Sequence, residues 1–178
     1  MLNLNNLSKQ LAFLLRHDKE GYKEGKIDKE GWRDVNELIS DHGFNRSEIV
    51  EIVKTDKKGR YEFNTDQNKI RAVQGHSIPV SVDLIESKPP DILYHGTSTK
   101  FIDSIFKNGI ESRTRLYVHL SQNKEVAMEV GKRHGNPVIL EINAKKMYED
   151  GVKFFQSKNK VWLVEYVPTK YIKKIEGN

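Results

Sequence analysis

Three of the five prolines in this 178-residue chain, Pro79, Pro89 and Pro90, fall within residues 78–91. Proline fixes its own φ, offers no N–H and pushes the residue before it out of the helical region. A Pro-Pro pair therefore favours a stiff, extended connector. The pattern of the chain also changes here, from helical periodicity before the stretch to alternating strands after it. The expected organisation is two lobes, residues 1–85 and 86–178, a division that suits a chain of this length.

The first lobe reads as mostly helical. Leu7, Leu11, Leu14 and Leu15 recur at helical spacing and predict a buried stripe that runs straight into Arg16 and His17. In "GWRDVNELISDHG", Asp34 and Glu37 form a capping-box pattern, Val35, Leu38 and Ile39 give an apolar face, and Gly43 is a stop. "NRSEIVEIVKTD" repeats the device with Asn45 and Glu48 ahead of Ile49, Ile52 and Val53. "RYEFNTDQNKIRAVQGHS" alternates about a polar turn, as a β-hairpin does. Three short helices followed by a hairpin is the order of a winged helix.

In the second lobe "ILYHGT", "RLYVHLS", "PVILEINA" and the hairpin-like "VKFFQSKNKVWLVEYVP" predict strands. "TKFIDSIFKNGI" predicts a helix packing Phe101, Ile102, Ile105 and Phe106 and ending at Gly109, and "NKEVAMEVGKRHG" a second ending at Gly135. The expected class is α+β.

The absence of Cys excludes disulfides, thiolate catalysis and Cys-ligated zinc. Thirty Lys and Arg against 25 Asp and Glu permit a polyanionic partner without demanding one. No apolar run is long enough to span a bilayer, and "MLNLNNLSK" lacks the basic start and apolar middle of a secretory signal. A cytoplasmic monomer without metal is the expectation.

The candidate chemistry lies in cations near element ends. Arg16 and His17 close the first helix, Arg71 sits late in the hairpin, and Arg133 ends a helix of the second lobe. A phosphate monoester carries nearly two charges and three acceptor oxygens, and the guanidinium fork suits it. Each residue alone reads more commonly as a solvated surface charge or, for Arg16 and His17, as a helix-end cation. "YHGT" offers a close-approach backbone and polar groups for a carboxamide or ribose, or simply a strand-to-helix turn with Thr97 or Thr99 as N-cap. His95 and His119 lack the acidic partners of a zinc site.

Taken together, "LSKQLAFLLRH", "GWRDVNELI", "IRAVQGHS", "LYHGT", "VHLS", "VGKRHGNPVIL" and "VWLVEYVP" resemble, in order, the RNA 2'-phosphotransferase (Tpt1/KptA) family. The resemblance implies a winged-helix RNA-binding lobe followed by an NAD-binding, ADP-ribosyltransferase-like, β-rich lobe. It implies removal of an internal RNA 2'-phosphate, such as a tRNA splicing junction carries, with NAD as co-substrate. The RNA phosphate displaces nicotinamide, giving a 2'-phospho-ADP-ribosylated RNA. The ribose 2''-hydroxyl then attacks the phosphorus, leaving 2'-OH RNA and ADP-ribose 1'',2''-cyclic phosphate. By the same resemblance Arg16, His17, Arg71 and Arg133 are catalytic, while His95, Gly96, Thr97, Arg115, His119 and Ser121 bind NAD. The chain departs from the family in the loop after Arg16–His17, "DKEGYKEGK", and at Tyr117, where a His is common. Val161 stands where protein-modifying relatives of that fold often carry a Glu. Two other readings are an ADP-ribosyltransferase that stops after the first step on a terminal nucleic-acid phosphate, and a noncatalytic RNA binder that senses NAD.

Overall fold

The computed structural model describes residues 4–175. The chain divides into two compact units between Leu84 and Ile85. Helix and strand are mixed in both, an α+β architecture. No helix among the described residues is long and apolar enough to cross a membrane.

Unit 1 begins with α1 (Leu4–Arg16) and the short α2 (Lys19–Lys23). After β1 (Arg33–Asp34) come α3 (Val35–His42), α4 (Arg46–Thr55), and the antiparallel pair β2 (Tyr61–Phe63) and β3 (Lys69–Ala72). β1 adds to the far side of β3, giving a three-stranded sheet in the order β1-β3-β2. The leucine stripe of α1 packs with Val35, Leu38, Ile49, Ile52 and Ile70 into one core. The caps are of the expected types. Asp34 accepts from the Asn36 N–H at 2.7 Å, and Glu48 accepts from the Asn45 N–H at 2.9 Å. Gly43 ends α3 in the left-handed region at φ 70°, where a Cβ would be strained.

Two details differ from the sequence pattern. Glu37 does not reach back to cap α3, because Arg33 takes both its oxygens, at 2.6 and 2.7 Å. The proline-bearing stretch is not an open connector from residue 78, because Ile78 and Val80 are buried against Ile27 in a small second cluster of unit 1.

Unit 2 carries β4 (Ile85–Glu86), β5 (Ile92–Ser98), α5 (Ile102–Asn108), β6 (Ile110–Glu111), β7 (Val118–Leu120) and α6 (Lys124–Lys132). There follow β8 (Pro137–Asn143), α7 (Ala144–Glu149), β9 (Phe155–Gln156), β10 (Trp162–Val164), β11 (Tyr166–Val167) and β12 (Ile172–Lys174). The larger sheets run β4-β9-β10-β7 and β12-β8-β5, and β11 leaves the β9–β10 hairpin to pair with β6. Backbone hydrogen bonds between Tyr94 and Ser121, at 2.7 and 2.9 Å, join β5 to the end of β7. The core gathers Leu93, Leu120, Leu140, Ile142, Phe154 and Trp162.

The helix after β5 starts differently from expectation. A single 3-10 turn, Thr99–Phe101, precedes α5, and its N-cap is Ser98 rather than Thr97 or Thr99. Phe106, expected in the core, is exposed, while Ile105 is buried.

Candidate functional site

Unit 1 gathers cations at the end of α1. Arg16 is buried and closes the helix, and His17 follows it. The loop after β3, residues 73–78, folds over them. The N–H groups of Ser77 and Ile78 donate to the Arg16 carbonyl at 2.9 and 3.4 Å, satisfying a helix-end acceptor. Gly75, at φ 90°, lies flat against the Arg16 guanidinium, and a Cβ there would stand 3.3 Å from its Cζ. His17 Nδ1 lies 2.9 Å from Ser77 Oγ.

His76 sits behind this pair. It is 3% exposed, and burial followed by the charges of Arg16, His17 and Arg71 pushes its pKa down to about 3. It is therefore neutral at any ordinary pH. Its Nε2 and the Gln74 Oε1 are buried without a hydrogen-bond partner. The sequence reading passed over both residues. The signal was present in "AVQGHS", a run of polar side chains about a glycine directly after an apolar strand.

Two further arginines brace the unit. Arg33 is 1% exposed and donates to the Leu14 carbonyl, Asp18, Glu37 and His42. Burial opposes the charge of Asp18, but the Gly21 N–H and Arg33 outweigh it and hold the carboxyl below its usual range. Arg71 donates to Glu62 at 2.6 Å, Asp83 at 2.7 Å and the Glu30 carbonyl at 3.1 Å, and it stacks 4.3 Å above the Trp32 ring. Its charge contributes to the field at His76, yet its fork is filled by carboxylates. A phosphate would have to displace Asp83, the more exposed of the two.

Unit 2 arranges its polar groups along β5, β7 and α6. His95, on β5, must donate its Nδ1–H to the His119 carbonyl at 3.1 Å, since a carbonyl only accepts. Its Nε2 thus keeps a lone pair. Desolvation, helped by the charge of His134, holds this ring below the ordinary histidine range. Arg115 donates to His119 Nδ1 at 2.9 Å, so the neutral His119 ring carries its proton on Nε2. Both Nδ1 atoms are therefore already engaged.

Desolvation and the like charge of Arg133 hold the Arg115 guanidinium below its ordinary range. Among the described residues no carboxylate lies within ion-pair distance of Arg115 or Arg133. Two neighbouring arginines without a counter-ion form a place for an anion. Ser121 opens the turn into α6, its Oγ accepting from the Asn123 N–H at 3.1 Å. Gly96 and Thr97 are buried beneath α6. A Cβ on Gly96 would overlap the Ala127 carbonyl, and one on Gly131 would stand 2.7 Å from the Thr97 carbonyl. The glycines let the helix lie directly on the strand, which fixes where Arg133 emerges at the C-cap of α6.

Arginine forks without counter-ions, beside histidines with fixed tautomers, have the hydrogen-bonding geometry to bind a phosphate ester. Comparison with known proteins makes the class specific. The profile of the "RNA 2'-phosphotransferase, Tpt1 / KptA family" matches residues 3–166. A protein of Flavobacterium johnsoniae named "Probable RNA 2'-phosphotransferase" is 47% identical over 173 residues, covering 94% of each chain. Relatives of the same name from Pseudomonas syringae pv. tomato and Fusobacterium nucleatum are 43% and 46% identical. The first covers 96% of this chain and 94% of the relative, the second 94% and 96%. The chain belongs to the RNA 2'-phosphotransferase (Tpt1/KptA) family.

Proposed function

We propose that the protein removes an internal 2'-phosphate from RNA, in tRNA or a tRNA-like molecule, using NAD as co-substrate. Unit 1 is read as a winged-helix RNA-binding lobe and unit 2 as an ADP-ribosyltransferase-like lobe that binds NAD. Bound NAD supplies an electrophilic ribose carbon, so that the RNA phosphate leaves as ADP-ribose 1'',2''-cyclic phosphate by way of a 2'-phospho-ADP-ribosylated RNA.

The observation that carries the reading is the paired chemistry of the two units. In unit 1 a helix-end arginine and a ring-anchored histidine stand together under one loop. In unit 2 a lone-pair histidine is bonded to the His119 carbonyl, and Arg115, on which the charge of Arg133 acts, is bonded to the His119 ring. The second set fits NAD. His95 Nε2 accepts a hydrogen bond from a carboxamide N–H or a ribose hydroxyl, and Arg115 with Arg133 suits a pyrophosphate or the phosphate in transfer. Ser121 and the strand held by Gly96 and Thr97 keep His95 and His119 in register.

A phosphate dianion is already a nucleophile, so the first step asks the protein for positioning, not for a base. Arg16 stabilises charge as it gathers on phosphorus in the second step, while His17 gives a proton to the departing RNA oxygen. Arg71 keeps the frame about His76 and Trp32, its share in phosphate binding depending on release of Asp83. No metal is required. The protein is read as a cytoplasmic monomer.

The test is turnover of a short RNA bearing one internal 2'-phosphate in the presence of NAD, with products read by mass spectrometry. Loss of the phosphate with release of the cyclic ADP-ribose phosphate supports the proposal. Accumulation of ADP-ribosylated RNA means that the second step is absent. RNA binding without any product favours a noncatalytic binder.

A further inference from the structure

The His17 ring is held at one nitrogen by a residue that the reaction scheme above does not use. Nδ1 lies 2.9 Å from Ser77 Oγ. Ser77 is itself fixed, because its N–H donates to the Arg16 carbonyl at 2.9 Å and its Oγ lies 3.5 Å from the same oxygen. Whichever of the two groups donates, the contact fixes Nδ1 toward Ser77 and turns Nε2 away from it.

We infer that Ser77 is a positioning residue: its Oγ holds His17 Nδ1 and so makes Nε2 the nitrogen offered to the RNA phosphate. The inference rests on the reading of His17 given above. An imidazole that is free to flip presents either nitrogen, and only one orientation serves a given oxygen. The same serine binds the Arg16 backbone, so one residue sets both the position of the arginine's peptide and the orientation of the next ring. The charge state is not at issue in the contact. An imidazolium donates from Nδ1 in the same geometry and keeps Nε2–H for the substrate.

Proton–nitrogen correlation on the labelled full chain, with His17→Asn to assign the ring, reads the tautomer directly. Native protein and Ser77→Thr are expected to show neutral His17 in a single tautomer with Nδ1 hydrogen-bonded, and Ser77→Ala a mixture of the two tautomers. Turnover of the 2'-phosphorylated RNA at saturating NAD is the second reading. Loss of orientation is expected to lower kcat by about 10- to 100-fold in Ser77→Ala, with KM for RNA near native and Ser77→Thr rescuing. A native ring that already shows a mixture of tautomers overturns the inference. So does a Ser77→Ala protein with native tautomer, or one whose kcat is unchanged. Should the native protein fail to turn over the RNA, the proposed function falls, and the nitrogen shifts alone decide whether Ser77 sets the ring.

Discussion

Arg71 in unit 1 and Arg133 in unit 2 carry the same group in opposite settings. Arg71 is 3% exposed, with two carboxylates, a carbonyl and an indole face around it. Arg133 sits exposed at the C-cap of α6, and its charge acts on another arginine, Arg115. A buried cation with its counter-ions braces a fold, and removing it strands the charges left behind. A cation placed beside a like charge gains nothing for the fold and becomes favourable when an anion arrives. Basic residues near element ends thus differ in their partners, which spacing along a sequence does not reveal.

The sharpest way to break this comparison is to delete each arginine and measure stability and turnover together. Arg71→Met should destabilise unit 1 by about 3–5 kcal/mol in urea unfolding, because Glu62 loses its partner in a part-buried place. Arg133→Ala should leave the unfolding midpoint near native and lower turnover by about 10²- to 10³-fold, as loss of one preorganised donor does. Equal effects on stability from both would erase the distinction.

A second comparison concerns pH. His76 stays neutral in the fold down to about 3 but takes up a proton near its ordinary 6.5 once unfolded. The unfolded chain therefore binds more protons across that window. Stability is full above 6.5 and falls as pH drops toward 3, by at most about 1.4 kcal/mol per pH unit. Asp18 acts in the same sense at lower pH, its stabilising contribution being lost as pH falls through its depressed value. Unfolding curves at pH 7, 6 and 5 should show a smaller slope against pH for His76→Asn, and identical slopes would contradict the burial argument.

Packing in unit 2 offers a smaller effect. Gly96→Ala should cost about 1–3 kcal/mol by lifting α6 from β5, with turnover falling as Arg133 moves. A calorimetric midpoint equal to native would show that the helix gives way freely. The mildest perturbation is salt. If unit 1 tracks RNA phosphates, a plot of log affinity against log salt should fall with a slope of about −0.7 per phosphate contact. A flat plot would separate RNA binding from the basic residues.

Much of the fold was legible because its signals are local. The leucine stripe, the Asn45–Glu48 box and the Gly43 stop each act within or at the end of a single helix, and the structure uses them as read. Competition between neighbouring side chains was not legible. Glu37 is a sound capping residue until Arg33, four residues before it, claims it. Two-residue strands such as β1, β6 and β11 have no periodicity to detect, since pairing alone defines them. α7 and β12 went unplaced for want of a distinctive run. In the candidate site, residue types and approximate places could be read, but neither the carboxylates on Arg71 nor the tautomers of His95 and His119 follow from spacing.

The contact between Gly96 and the backbone of α6 has a consequence for how such a chain can change. Each of Gly96 and Gly131 presses on the main chain opposite, Gly96 on the Ala127 carbonyl and Gly131 on the carbonyl of Thr97. Neither can gain a side chain unless the helix retreats, and a retreat carries Arg133 with it. The two glycines therefore work as a gauge block between strand and helix. Drift at either position is checked by the other, and the tolerance they enforce is passed on to a charge that sits two residues beyond the second of them.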